Sequence, residues 1–186
     1  MSLLLVTFEN QSNNKVLLEP AQDVSFPLSL ELDTLVDAML EKLVEIQGAG
    51  LAAPQVGYPY KIIVYQVLEI AKNFRADWQG SLPPTALINP TYEPIIEAGY
   101  TDDWEGCFSV ETQMGKIRRY TSINFQGFDR LGNKVEGQAS GYLARILQHE
   151  IDHLNGCLIL KHFRNDLPFG SIQEMQKLRQ EERDKK

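Results

Sequence analysis

The segment Gln148-His149-Glu150-Ile151-Asp152-His153 constrains this chain more than any other. It carries two histidines four residues apart, with an acid beside the first. On a helix, residues at that spacing share a face. The surroundings are helical in period: Tyr142, Ile146, His149 and His153 fall on one side, and Leu143, Leu147, Ile151 and Leu154 cover much of the rest. Ser140 offers a cap at the start and Asn155-Gly156 a stop at the end. A helix apolar on most sides is a buried one. Two imidazoles, a Glu and an Asp inside it need partners, because an unpaired buried charge is too costly to keep. A metal ion would satisfy both imidazoles together and leave Glu150 in reach of a coordinated water. The alternative is that both histidines are merely packed.

A buried helix needs a core, and 186 residues can supply one. With 43% apolar and 23% charged residues, the composition is that of a globular chain rather than a disordered one. The net charge of −7 disfavours a nucleic-acid or anionic-membrane surface as the main partner. No apolar run approaches the roughly 20 residues of a membrane span. The apolar start, Leu3 to Val6, is too short for a secretory segment and has no basic region before it. A cytoplasmic protein is expected. Two cysteines, Cys107 and Cys157, make no disulfide framework. Cys157, in Gly156-Cys157-Leu158-Ile159-Leu160, reads as core filler, and His162 as a surface histidine. No repeat or shift in composition marks a boundary, so residues 1–186 are expected to form one domain, with a charged tail from about 180 to 186 that frays.

Before the histidine segment, Leu32, Leu35, Val36, Met39, Leu40 and Leu43 predict an amphipathic helix from about Ser29 to Gln47, ended by Gly48. Leu3 to Phe8, Lys61 to Leu68, Thr85 to Asn89 and Ile117 to Phe128 read as strands, and Asn89-Pro90 as a turn. Lys134 to Ala139 returns as a hairpin into the histidine helix. Leu158 to Phe163 reads as extended, and Ser171-Ile172-Gln173-Glu174 as a capping box opening a last helix.

Two further stretches carry chemistry. Gly48-Ala49-Gly50-Leu51-Ala52-Ala53-Pro54-Gln55 has glycines that permit close backbone approach. Its Gln55 is a neutral donor suited to a carbonyl oxygen that develops charge. In Trp104-Glu105-Gly106-Cys107-Phe108-Ser109, the thiol follows a glycine that allows a tight turn. Cys107 reads equally as buried filler and as a metal ligand.

Gly-x-Gly-Leu-Ala-Ala-Pro-Gln, Glu-Gly-Cys-x-Ser and Gln-His-Glu-x-x-His, in that order, resemble the motifs of the peptide deformylases. These are metal hydrolases that remove the formyl group from the N-terminus of nascent proteins. The resemblance runs from about residue 29 to about 175. It implies an α+β fold with antiparallel sheets wrapped around a central metal-binding helix, plus an N-terminal amphipathic helix and a C-terminal helix. It makes Cys107, His149 and His153 the metal ligands, with iron(II) as the ion and zinc or nickel as replacements. It makes Glu150 the general base and acid, and Gln55 with the backbone N–H of Phe108 the oxyanion donors. Gly50, Glu105 and Gly106 would flank the substrate backbone, and Ala49, Tyr142 and Ile146 would wall an apolar pocket for the methionine side chain. The implied partners are N-formylmethionyl peptides, as nascent chains at the ribosome. No direct nucleic-acid or membrane contact is expected, and a monomer is.

This chain departs from the family at four places. Phe108 stands where Leu is usual, Glu111 where Pro is usual, and Met114 near a usual Arg; the early Pro-Asp-Pro run is missing. These departures fit a divergent second deformylase. The competing readings are a zinc peptidase of the H-E-x-x-H kind and a paralogue that binds metal or peptide with little turnover. Against the first, such peptidases usually take a third His or Glu downstream. Against the second, metal binding alone needs neither Glu150 nor Gln55.

Overall fold

A computed structural model of the chain describes residues 3–185. The first long helix, α1 (Leu30–Glu45), begins where Ser29 Oγ accepts the Leu32 N–H at 3.3 Å. Its apolar stripe of Leu35, Val36, Met39 and Leu43 is fully buried against the sheet. Each such side chain contributes about 1.5–3 kcal/mol by leaving water. The helix ends two residues before the expected Gln47. Gln47, at φ 49°, takes the left-handed conformation just past the helix, one residue before Gly48. Gly48 is needed for another reason: a Cβ there would lie 3.1 Å from both the Leu43 and Phe108 side chains.

Eight strands follow: β1 (Gly50–Ala52), β2 (Ile62–Val67), β3 (Leu82–Pro94), β4 (Tyr100–Cys107), β5 (Val110–Tyr120), β6 (Ser122–Phe128), β7 (Lys134–Ser140) and β8 (Phe169–Ser171). They form two antiparallel sheets, ordered β1-β2-β3-β6-β7 and β4-β5-β8. Strand β3 runs through Asn89-Pro90, where a turn is expected from the sequence. The ladder shifts register between Ile88 and Thr91, so the proline, which has no N–H to give, sits in a bulge. Asn89, at φ 49°, pairs its carboxamide with the Val24 backbone through two 2.8 Å hydrogen bonds. The single strand expected at Ile117–Phe128 is two strands in different sheets, β5 and β6, parted at Thr121.

The histidine helix, α2 (Gly141–Leu154), packs against β1, β2, β3, β5, β6 and β7. Leu147, Ile151 and Leu154 are buried, as the sequence predicts, while Leu143 is only partly so. Ser140 does not cap it; its hydroxyl pairs with Ser122 Oγ at 3.2 Å. Gln148 fastens the helix to the end of β5 by exchanging both carboxamide groups with the Tyr120 backbone, at 2.9 and 3.0 Å. At the far end, Gly156 N–H donates to His153 O and Cys157 N–H to Asp152 O, with Gly156 at φ 65°. That pairing is a Schellman stop.

The two ends of the chain differ from expectation. Leu3 to Phe8 forms no strand. It is an extended strap whose Val6 N–H donates to Gln55 O and Phe8 N–H to Ser109 O, each at 2.8 Å. Leu158 to Phe163 is not extended; it contains a 3-10 turn, Ile159–His162. The last helix, α3 (Ile172–Asp184), opens on Ser171 as predicted and holds its form through most of the charged tail. Glu182 anchors it to Trp104 Nε1 at 3.0 Å and Lys116 Nζ at 2.8 Å. Of the tail expected to fray, Lys186 lies outside the described residues. Among the described residues, no helix is long and apolar enough to cross a membrane.

Candidate metal centre and cleft

The ligand-bearing atoms of Cys107, His149 and His153 lie within 4.8 Å of one another. Cys107 comes from the end of β4, where the register of the β4–β5 hairpin slips and turns the thiol inward. His149 and His153 come from successive turns of α2, with ring centroids 5.0 Å apart. Cys107 Sγ stands 3.2 Å from His153 Nε2. Burial raises the thiol's pKa, but the imidazoles of His153 and His149 outweigh it and bring it down to about 5. The sulfur is therefore a thiolate at neutral pH. One thiolate and two imidazoles are a sound set for a borderline divalent ion, and three protein ligands leave one tetrahedral position open.

Behind the histidines lies a network of buried charge. Glu105 Oε2 faces His149 Nδ1 at 2.9 Å, which leaves Nε2 for the centre. Arg119 grips Glu105 with two hydrogen bonds at 3.0 and 2.9 Å, and Arg145 adds a third at 2.8 Å. Burial works against charge on Glu105, but Arg119 and His149 outweigh it and hold the carboxyl well below its ordinary range. A carboxylate behind a ligand histidine fixes the ring and raises its basicity. Its side chain is thus engaged inward, so any contact of Glu105 with a peptide is left to its backbone.

Glu150 is the opposite case. Its Oε2 is buried without a hydrogen-bond partner. Burial lifts its pKa to about 7, against the pull of His149 and His153 and with the push of Cys107 and Glu105. A carboxyl poised there can both take and give a proton at neutral pH. Gly50 makes room for it: a Cβ on Gly50 would lie 2.2 Å from Glu150 Oε1. Gln55 is 2% exposed. Its Oε1 accepts the Ala52 N–H at 2.8 Å, which turns the amide nitrogen toward Cys107 Sγ, 3.6 Å away. The carboxamide therefore presents its donor end to the centre.

These groups share one cleft of about 110 Å³. Every site residue singled out from the sequence lines it except His153, which lies behind the others and is 1% exposed. Ala49, Tyr142 and Ile146 form part of its wall. The sequence reading missed three arginines. Arg119 and Arg145 are 4% and 2% exposed and position the Glu105 carboxylate. Arg75 lines the cleft, held by Asp103 at 2.5 Å and stacked 4.5 Å over Tyr142. The rule that a buried charge needs a partner applies to Arg145 as much as to the histidines beside it. Applied there, it points to an upstream acid.

The departures fall at the rim or under the sheet. Phe108 is 41% exposed and lies over Gly48. Glu111 keeps an N–H that proline would lack, and donates it to Glu9 Oε1 at 3.0 Å. Met114 is buried within β5.

The profile of a family described as polypeptide deformylase matches residues 9–167. A protein named peptide deformylase 2 from Rickettsia conorii is 42% identical over 157 residues, covering 82% of this chain and 77% of that protein. The crystal structure of a peptide deformylase from Ehrlichia chaffeensis matches with a TM-score of 0.76 at 33% identity, covering 100% of this chain and 99% of that one. A class I type b peptide deformylase from Acinetobacter baumannii, solved with Met-Ala-Ser bound, matches with a TM-score of 0.74 at 28% identity, over 87% of this chain and 99% of that one.

Proposed function

Because this chain belongs to the polypeptide deformylase family, we propose roles for its residues in that family's reaction. The protein is a metal-dependent hydrolase that removes the formyl group from N-formylmethionyl peptides. Family membership does not favour the zinc-peptidase alternative. In our reading Cys107, His149 and His153 hold the ion, which is ferrous iron, with zinc or nickel able to stand in. A bound divalent ion supplies Lewis acidity and acidifies water toward neutral pH.

The chain's own residues do the rest. Glu150 accepts the proton of the attacking water. As the C–N bond breaks, it delivers that proton to the leaving amine, so the products are formate and a free amino terminus. Gln55 Nε2 and the Phe108 N–H donate to the formyl oxygen as it gains charge. Strands β1 and β4 are both sheet edges. Their open backbones at Gly50 and Gly106 suit an extended peptide lying between them as an added strand. Ala49, Tyr142 and Ile146 receive the methionine side chain, which an apolar wall selects mainly by size. The Acinetobacter relative's bound Met-Ala-Ser has the form of such a product. The reading extends to nascent chains at the ribosome as substrate, to a cytoplasmic monomer, and to the whole chain working as one catalytic domain.

The observation that carries the reading is the convergence of Cys107 and the two histidines beside an unpartnered, buried Glu150. The test is formate release from formyl-Met-Ala-Ser, run anaerobically with iron or nickel. Turnover that decays in air with iron and persists with nickel is expected. No formate with any metal would refute the assignment, and full activity in protein isolated with zinc alone would remove iron from it.

A further inference from the structure

Among the described residues, a second group of metal-ligating atoms converges at the end of α2. Asp152, Cys157 and His162 bring a carboxylate oxygen, a sulfur and a ring nitrogen within 4.8 Å of one another. His162 Nε2 lies 2.8 Å from Asp152 Oδ2 and 3.5 Å from Cys157 Sγ. The sequence alone suggests core filler and a surface histidine at the last two positions. In the structure Cys157 is only partly buried, and the His162 side chain, 30% exposed, is tied to Asp152.

The backbone builds this cluster. In the Schellman stop of α2, the residue after the left-handed glycine is bonded back to the residue three before the cap. Those two positions commonly meet through an apolar contact. Here they are Cys157 and Asp152, joined by the 2.9 Å bond from Cys157 N–H to Asp152 O. The motif thus carries a thiol back over a carboxylate. Gly156 cannot be exchanged to relax it, because a Cβ there would meet Leu18 O at 2.6 Å. The 3-10 turn Ile159–His162 then swings the imidazole in from the open side.

One geometric detail separates the possible uses of these groups. A thiol activated by a histidine-acid pair needs the acid on one ring nitrogen and the thiol on the other. Here the same nitrogen, Nε2, faces both partners. Three ligand atoms gathered within 4.8 Å of one another, two of them around a single ring nitrogen, suit a shared proton or a metal. We propose that Asp152, Cys157 and His162 form a second metal site, selective for a borderline divalent ion of the zinc class, with its fourth position open to solvent.

Tetrahedral zinc bonds place neighbouring nitrogen and sulfur ligands about 3.5 Å apart, and nitrogen and oxygen about 3.3 Å. The Cys157–His162 separation already matches. The His162–Asp152 pair must open by about half an ångström, which happens when the ring gives up the proton it shares with the carboxylate. Arg119 also holds Asp152 Oδ2, at 2.5 Å, and stays as its outer partner. Exchanging the imidazolium and thiol protons for one divalent ion leaves the cluster's net charge unchanged, so the guanidinium is no added obstacle. Arg119 reaches Glu105 as well, which places one buried cation between the two centres.

The experiment is a titration of metal-free protein with cobalt(II), followed by its thiolate charge-transfer band, with zinc stoichiometry measured in parallel after dialysis at low micromolar free metal. The full chain should take two equivalents. Cys157→Ser and His162→Gln should each take one, and Cys107→Ser should take one, at the other centre. Deformylation by Cys157→Ser loaded with one equivalent should match that of the unaltered chain. Saturation of the full chain at one equivalent would overturn the second site. So would a second equivalent that survives in both Cys157→Ser and His162→Gln. Formate release reads the first centre separately, so failure of one proposal is not failure of the other.

Discussion

The two clusters at the end of α2 each contain a cysteine and a histidine, with a second histidine in one and an aspartate in the other, and are built in opposite ways. The first joins Cys107 and His153 across 46 residues of chain, and outer contacts back His149 and Cys107, though His153 Nδ1 is buried without a partner. Glu105 stands behind His149, two arginines stand behind Glu105, and Gln55 looks onto the thiolate from the opposite wall. The second is local. Cys157 and His162 are five residues apart, and one helix-end motif supplies most of its shape. The difference teaches where precision comes from. A centre that must hold a reacting group needs its outer contacts, because a misplacement of about 1 Å can cost 10²-fold in rate. A local cluster can gather ligands with a single outer contact, here Arg119 on Asp152, and it leaves them nearer to water.

That contrast can be broken at four points. Glu150→Ala should lower kcat by about 10²–10⁴-fold while metal content, by elemental analysis, stays unchanged. Near-normal turnover would mean the proton is handled elsewhere. Gln55→Leu should cost about 10²–10³ in kcat, with KM little moved. An effect confined to KM would take Gln55 out of the oxyanion role. Glu105→Gln should weaken metal affinity about 10–100-fold, read by competition with a chelator. Unchanged affinity would show that the first centre does not need its backing. Cys157→Ser should be mildest: turnover within about twofold, as for substitutions clear of the core machinery, and a melting midpoint moved by a few degrees at most. A large loss of turnover there would merge the two clusters into one unit.

The helix and the shared direction of its two histidines were readable because H-E-x-x-H fixes spacing, and spacing on a helix fixes direction. Cys107 was ambiguous from its own surroundings; order among three motifs, not local chemistry, assigned it. Gln55 was readable as a donor, but which way its amide points depends on the Ala52 N–H, a contact no pattern announces. Glu105 was placed on the substrate backbone, yet its carboxylate works behind His149, because its arginine partners lie 14 and 40 residues away. Strand β3 hid its length behind Asn89-Pro90. Propensity marks a turn there, while the side-chain pairing of Asn89 with Val24 turns it into a bulge. Nothing around Cys157 or His162 in the sequence signals that the two side chains meet. Their link through Asp152 exists only after the helix has stopped in one particular way.

The extended segment at the start of the chain carries no reactive group, yet it acts as a tie bar. One bond from Val6 fastens the Gln55 wall and one from Phe8 fastens the Ser109 wall, so the gap between the two jaws is set from outside. An inhibitor that wedges the jaws apart must stretch both ties, whereas one that slides in as a flat ribbon need not. Cutting the bar would loosen the grip on a bound peptide without altering a single atom that the peptide meets.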